Sequence, residues 1–323
     1  MVRLKRYGKN PIIEPNPDHP WEAKATFNPC ALKLKGKIYI IYRALSEDNT
    51  SCLGLAISED GFTVEERLEE PIYIPREHFE LKIKGKKNTG CEDPRLTLIG
   101  DRIYMCYTAV GESGPYIRVS NIEVKPLIRV ALTSIKLKDF LNRNWKKWEK
   151  PILISPPGTW DKNACLLEKK IKNKFVFFHR IFPNIWVDFS KKLDFKEKGW
   201  ISGFECISIR EDKWDSDRVG IAGPPIYTKE GWVLIYHGRS KFDNCYRLGA
   251  ILFDKENPFY IISRLDYPIL EPKENYEGKI VFSCGQVLID EKIFVYYGAN
   301  DKVVCVATCN FDELLDELVK QEK

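Results

Sequence analysis

Apolar and polar residues alternate along this chain in short runs bounded by Gly, Asn, Asp and Pro, and sustained helical periodicity is nearly absent. That pattern predicts an all-β fold. One hairpin recurs. "NPCALKLKGKIYIIYRA" reads as a strand, a Lys-Gly-Lys turn and an aromatic-rich strand. "EDPRLTLIGDRIYMCYTA", "KNACLLEKKIKNKFVFFHR", "GPPIYTKEGWVLIYHG" and "CGQVLIDEKIFVYYGA" repeat it.

The first apolar residues after the turns are Ile38, Ile103, Phe175, Trp232 and Ile293, giving steps of 65, 72, 57 and 61 residues. A further strand pair follows most copies, as in "CLGLAISEDGFTVEE". A proline-bracketed apolar triplet recurs between copies ("PIIEP", "PIYIP", "PILIS", "PILEP"), as expected of an outer strand handing over to the next unit. Four-stranded repeats of this size without crossover helices read as propeller blades. Five copies fill the 323 residues, so the expected architecture is a five-bladed β-propeller in a single domain. The tail "FDELLDELVKQEK" has apolar residues at 311, 314, 315, 318 and 319, which predicts a closing amphipathic helix over about 311–321.

Composition narrows the function classes. A chain that is 44% hydrophobic and 30% charged is that of a soluble globular protein. The net charge of +5 is small and the lysines are scattered, so no nucleic-acid partner is called for. The first residues lack the apolar core of a signal peptide, and no long apolar run appears later, which predicts a cytoplasmic protein with no membrane partner. Ten cysteines without a Cys-x-x-Cys pair read as free thiols in a reducing compartment. Four histidines without ligand spacing imply no metal. The tail helix and the aromatic loops are surfaces on which copies of the chain could form a homo-oligomer.

Aligning the repeats brings chemistry-bearing residues to matching ends of the hairpins. The set holds acids (Asp93, Asp301), cations (Arg43, Arg95, Lys162, Arg180), imidazoles (His179, His237) and an amide (Asn28). Carboxylates and Asn hydrogen-bond sugar hydroxyls, whereas Arg, Lys and His suit a phosphate or carboxylate. A polyhydroxylated substrate plus an anion fits this set. Two readings of Asp93 stay open at this point: a catalytic group, or a turn-forming residue with Arg95 as its salt partner. Lys162 and Arg129 read equally as ordinary surface cations, and Asp301 equally as a plain turn residue. Trp145, Trp148 and Trp214 read as packing residues.

The segments "GLAISEDG", "GCEDPRLTLIGDRIYMCYTA", "DKNACLLEKKIKNKFVFFHR", "WDSDRVGIAGPPIYTKEGWVLIYHG", "YRLGAILFD", "PILEPKENYE" and "VYYGANDKVVCVAT" span nearly the whole chain. Together they resemble glycoside hydrolase family 130, the β-mannoside phosphorylases and related enzymes. The resemblance implies a five-bladed β-propeller and a glycosyltransferase-type phosphorylase with Asp93 as general acid. It implies a sugar site at Asn28, Arg43, Arg95 and Asp301, with His179 and Arg180 near the same cleft. It also implies a phosphate site at Arg129, Lys162 and His237, with Tyr246 as an addition. The partners would be a β-1,2- or β-1,4-linked manno-oligosaccharide and inorganic phosphate as co-substrate, without a cofactor. Inverting hydrolysis needs an acid and a base, but phosphate is already an anionic nucleophile, so one acid suffices and the product is α-mannose 1-phosphate. Members of the family have been described as protonating through a sugar hydroxyl. An inverting β-mannosidase of the same fold and a non-catalytic carbohydrate-binding propeller are the competing expectations. Linkage and leaving-group preference would rest with loops 76–90 and 111–126.

Overall fold

The computed structural model describes residues 1–85, 88–112, 117–119, 122–124 and 128–321, so much of the 111–126 loop lies outside the described residues. Among them, helix is confined to Leu137–Leu141, two short 3-10 turns and Phe311–Lys320. Everything else regular is β. Each recurring hairpin is present, and each gains a third strand. The first set is β1 (Ala25–Leu34), β2 (Lys37–Leu45) and β3 (Thr50–Ser58). The second is β4 (Thr89–Ile99), β5 (Arg102–Val110) and β6 (Ile128–Lys136). The third is β7 (Asp161–Leu166), β8 (Phe175–Ile181) and β9 (Asn184–Ser190). The fourth is β10 (Arg218–Ile221), β11 (Trp232–Arg239) and β12 (Tyr246–Phe253). The fifth is β13 (Val281–Ile289), β14 (Lys292–Ala299) and β15 (Val303–Asn310).

A short edge strand completes every set. Glu66–Arg67 pairs with β3, Ile152–Leu153 with β6, Phe204–Ile207 with β9 and Ile261–Arg264 with β12. For the fifth set the edge comes from the other end of the chain, as Lys5–Arg6 pairs with β15. The proline-bracketed triplets lie on third strands, as their recurrence predicts. Ile13 bridges Val304, Tyr73 bridges Leu53, Leu270 bridges Leu248, and Ile152 pairs with Leu132.

Local chemistry explains the hairpins. Lys35-Gly36 and Lys172-Asn173 both carry positive φ at the two turn positions, the mirror-image turn whose twist matches the flanking strands. The first two sets merge into one eight-stranded sheet through a parallel pairing of Thr50 with Thr89 and Ser51 with Gly90. Gly90 has φ +107°, and a Cβ there would overlap the Ser51 carbonyl oxygen, so only glycine permits this approach. In the fourth set the inner strand is broken. β10 and Ile226–Tyr227 pair with separate halves of β11, with Gly223-Pro224-Pro225 between them.

The apolar core is divided into clusters between successive sets. One joins the first and second sets around Leu55, Leu96 and Met105. Others join the second to the third (Leu132, Phe177), the third to the fourth (Phe178, Trp232) and the fourth to the fifth (Ile235, Val295). A fifth joins the last set to the first (Ile40, Val306). The C-terminal helix seats Phe311, Leu314, Leu315 and Leu318 on the cluster shared by the fourth and fifth sets. Its start is capped by Asn310, whose side chain accepts from the Glu313 amide at 2.9 Å.

The aromatic residue near the end of each second strand meets a fully buried carboxylate. Tyr42 donates to Glu22 at 2.7 Å, Tyr236 to Asp215 at 2.7 Å and Tyr297 to Glu277 at 2.8 Å. Tyr107 donates to Glu80, and in the third set His179 Nδ1 lies 2.8 Å from Asp161. Arginines neutralise three of these acids: Arg67 on Glu22, Arg210 and Arg264 on Asp215, and Arg6 on Glu277. The recurring ring is therefore a buried anchor that fixes four of the hairpins to a neighbouring loop and, in the third set, ties the hairpin's own two strands together; these carboxylates survive burial through their hydrogen bonds, although Asp161 Oδ1 has no protein partner. The ten cysteines are unbridged, seven of them buried.

Candidate active site

Four inner strands share one irregularity. Register slips between Phe27 and Cys30 in β1, Glu92 and Arg95 in β4, Lys162 and Cys165 in β7, and Ser283 and Gly285 in β13. In the first three, the residue in the bulge is left-handed: Asn28 at φ 47°, Asp93 at 52° and Asn163 at 55°. Asn and Asp tolerate this conformation better than other side chains, and a bulge re-aims a side chain out of the strand's alternation. The three side chains converge on one cavity of about 190 Å³.

From the first, second and fifth sets the cavity receives Asn28, Asp93 and Asp301. From the third and fourth it receives Lys162, Asn163, Arg180, Arg218 and Tyr246. Trp160, Ile280 and Phe282 complete the wall. One side is acidic and the other is basic.

Asp93 Oδ1 accepts from the Asn28 amide at 2.8 Å and from Arg43 Nη1 at 3.4 Å. Arg43 also donates to Glu92 at 2.7 Å and to Ser51 at 3.0 Å, and Lys162 lies 3.3 Å from Glu92. Burial pushes the Asp93 carboxyl up, but Arg43, Lys162, the Asn28 hydrogen bond and Arg95 outweigh it and hold Asp93 below the usual carboxylate range. Asp301 goes the other way. Burial raises it, the nearby Asp93 and Glu92 charges add to this, and Arg43 and Lys162 only partly compensate. The proton affinities of two acids facing one cavity are thus driven apart.

The remaining sequence candidates sit around this centre. Arg95 is buried behind the cavity. It donates to the Asp93 carbonyl at 2.9 Å and, across to the broken inner strand of the fourth set, to Ile221 at 2.7 Å and Ala222 at 2.9 Å. Arg95 therefore bonds the backbone of Asp93 and not its carboxylate. His179 has both ring nitrogens engaged, with Asp161 and with the Ser202 carbonyl at 3.2 Å. Arg129 donates to the Ser155 carbonyl and lies over Trp200, 4.6 Å from its centroid, outside the cavity wall; burial pushes its guanidinium down to about 10. His237 is fully buried behind Phe282, with ring centroids 4.0 Å apart. Burial, with Arg95 and Arg180 nearby, keeps its imidazole well below its ordinary value and hence neutral.

On the basic side the Nε of Arg180, the Oδ1 of Asn163 and both ring nitrogens of His237 are buried without a protein partner. Buried polar groups are normally satisfied, so this cluster is built to receive hydrogen-bonding atoms from a ligand. Asn163, Glu92, Trp160, Arg218 and Phe282 were not legible as site residues. For Asn163 a signal existed, because it aligns with Asn28 and Asp93 at the strand entries. Arg218 and Phe282 carried none.

The family model described as β-1,4-mannooligosaccharide phosphorylase matches residues 3–320. A 1,2-β-oligomannan phosphorylase of Thermoanaerobacter sp. (strain X514) is 36% identical over 97% of this chain and 99% of its own. A β-1,2-mannobiose phosphorylase of the same organism is 35% identical over 95% and 97%. Among solved structures, the β-1,2-mannobiose phosphorylase of Listeria innocua in complex with β-1,2-mannobiose matches with a TM-score of 0.77 at 25% identity, covering 98% of this chain and 99% of that one.

Proposed function

The chain belongs to glycoside hydrolase family 130, and on that premise we propose that it is an enzyme that cleaves β-1,2-linked manno-oligosaccharides by inverting phosphorolysis. The observation that carries this reading is the division of one cavity into an acidic side around Asp93 and a basic side with unpartnered Arg180 and Asn163 atoms. A mannosyl unit lies between them. Phosphate, held by Lys162 and Arg180, attacks the anomeric carbon from the face opposite the leaving oxygen. The glycosidic C–O bond breaks as the C–O(P) bond forms, and a proton originating on Asp93 ends on the leaving sugar. The product is α-mannose 1-phosphate plus a shortened chain.

In the empty cavity Asp93 is held ionised. Substrate that displaces water, and a phosphate dianion arriving nearby, both raise its proton affinity. Protonation of the acid is thus coupled to arrival of the nucleophile. Asp301 and Asn28 take sugar hydroxyls, and Arg43 keeps Glu92 and Asp93 in place. Arg95 and His179 act from behind by fixing the strands that carry these groups, whereas His237, whose ring nitrogens have no protein partner, belongs with Arg180 and Asn163 on the anion side. Tyr246 adjoins the phosphate side, whereas Arg129, outside the cavity wall, is given no part in holding the anion.

We infer further that the five sets close around the cavity as one five-bladed propeller domain. The cluster joining the last set to the first, and the pairing of Lys5–Arg6 with β15, support closure. No helix among the described residues is long and apolar enough to cross a membrane, and a phosphorylated sugar product is useful inside a cell, so we place the enzyme in the cytoplasm. The test is Asp93→Asn. Turnover of β-1,2-mannobiose with phosphate falls by at least about a thousandfold, as expected on losing the acid of a two-sided displacement, while calorimetry still detects mannobiose binding. Retained turnover would remove Asp93 from the chemistry.

A further inference from the structure

We propose that Glu92 is a positioning residue that couples the seating of phosphate on the basic side of the cavity to protonation of Asp93 on the acidic side. This deepens the phosphorolysis reading above and rests on it. Glu92 and Asp93 are consecutive in β4, and consecutive residues of a regular strand point to opposite faces. The register slip between Glu92 and Arg95, with Asp93 left-handed, breaks that alternation and brings both carboxylates to Arg43. Of the two acids, Asp93 lines the cavity, whereas Glu92 lies behind it, 3% exposed, away from the reacting atoms.

What Glu92 touches is a pair of cations. Its Oε1 accepts from Arg43 Nη2 at 2.7 Å, and its Oε2 accepts from Lys162 Nζ at 3.3 Å. Arg43 Nη1 reaches on to Asp93 at 3.4 Å. A chain of charges therefore runs from the anion seat to the acid through Lys162, Glu92 and Arg43. The other charged groups acting on Asp93 are Arg95, on β4 itself, and Asp301, from the fifth set. Phosphate draws on Lys162, which lines the cavity. As that cation turns to the phosphate, Glu92 is left with Arg43 as its counter-ion and holds it harder. Asp93 then keeps less of Arg43 and less of Lys162, the two cations that most favour its ionised form, and takes up a proton from solvent. The acid is thus loaded when the nucleophile is seated and stays ionised otherwise.

The test is Glu92→Gln, which keeps the side chain's length and an acceptor for Arg43 but removes the charge. Arg43 and Lys162 are then both free to hold Asp93 ionised. In phosphorolysis of β-1,2-mannobiose the alkaline limb of kcat, which reports the loaded complex, moves to lower pH by about one unit, and kcat above the limb falls about tenfold. The phosphate KM does not rise, because Lys162 has lost a competing partner. A purely structural Glu92 gives the converse, an unmoved limb with a higher phosphate KM as Lys162 loses its support, and that result overturns the coupling. Should the variant fail to fold, carbon-13 NMR of the wild-type carboxyl groups decides. Saturating inorganic phosphate shifts the Glu92 resonance and raises the titration midpoint of Asp93, assigned by its loss in Asp93→Asn. An unmoved Asp93, or an Asp93 that moves while Glu92 does not, overturns the relay. Wild-type protein without phosphate-dependent turnover would sink the phosphorolysis reading and the relay with it, whereas active wild type with an unmoved limb in Glu92→Gln sinks the relay alone.

Discussion

At the scale of single residues, the opposed titration of Asp93 and Asp301 is the feature with the most consequences. Arg43 is the foremost group pulling Asp93 down. Replacing Arg43 with Ala should lower kcat/KM and move the alkaline limb of its pH profile, where the proton donor is lost, to higher pH; an unmoved limb would show that Arg43 does not tune the acid. Stability responds with opposite signs at the two carboxylates. The folded-state value of Asp93 lies below its unfolded one, so its ion pairing stabilises above the ordinary carboxylate range and is lost as pH falls through the depressed value. Asp301, raised on folding, favours the folded state at low pH and destabilises it once pH exceeds its folded value. Asp301→Asn should therefore raise the melting temperature at pH 7, with the gain vanishing below the ordinary carboxylate range, at the expense of activity. Thermal melts across pH read this directly. Asp93 itself stood out in the sequence because Glu-Asp-Pro-Arg opens a strand. The work of Arg95 did not, because its acceptors are backbone carbonyls at positions 221 and 222, and no side-chain pattern announces a carbonyl.

Elements were the most legible part of this chain. Two-residue turns such as Lys35-Gly36 fix register locally, so strand starts at Lys37, Arg102, Phe175, Trp232 and Lys292 fall on or next to the apolar markers read from the repeats. The C-terminal helix was equally clear from its apolar spacing. Bulges were not legible, because a register slip depends on pairing with a partner strand. The sequence marks it only by Asn-Pro and Asp-Pro at two entries and Asn-Ala at a third. The β3–β4 link was invisible for the same reason. It makes a sharp prediction: Gly90→Ala combines a left-handed backbone with overlap on Ser51, and should destabilise the protein by about 2 kcal/mol or more. A denaturant midpoint unchanged by this substitution would mean the pairing is dispensable.

For the whole molecule, the return of the N-terminal strand to the last sheet ties the two ends of the chain together. Arg6, itself partly exposed, adds an ion pair at 2.7 Å to the buried Glu277, next to the Tyr297 anchor. Removing Arg6 leaves Glu277 buried without its cation, which should cost about 3–5 kcal/mol. Hydrogen exchange should show protection lost first in Val303–Asn310 and not uniformly; uniform loss would argue against a local tie. The cavity takes its lining from all five sets. The most direct check on inverting phosphorolysis is phosphorus NMR of the purified protein with β-1,2-mannobiose, with and without inorganic phosphate. The cavity's two-sided chemistry predicts α-mannose 1-phosphate, formed only when phosphate is present. Free mannose released equally without phosphate would contradict it and make the basic side of the cavity something other than a nucleophile's seat.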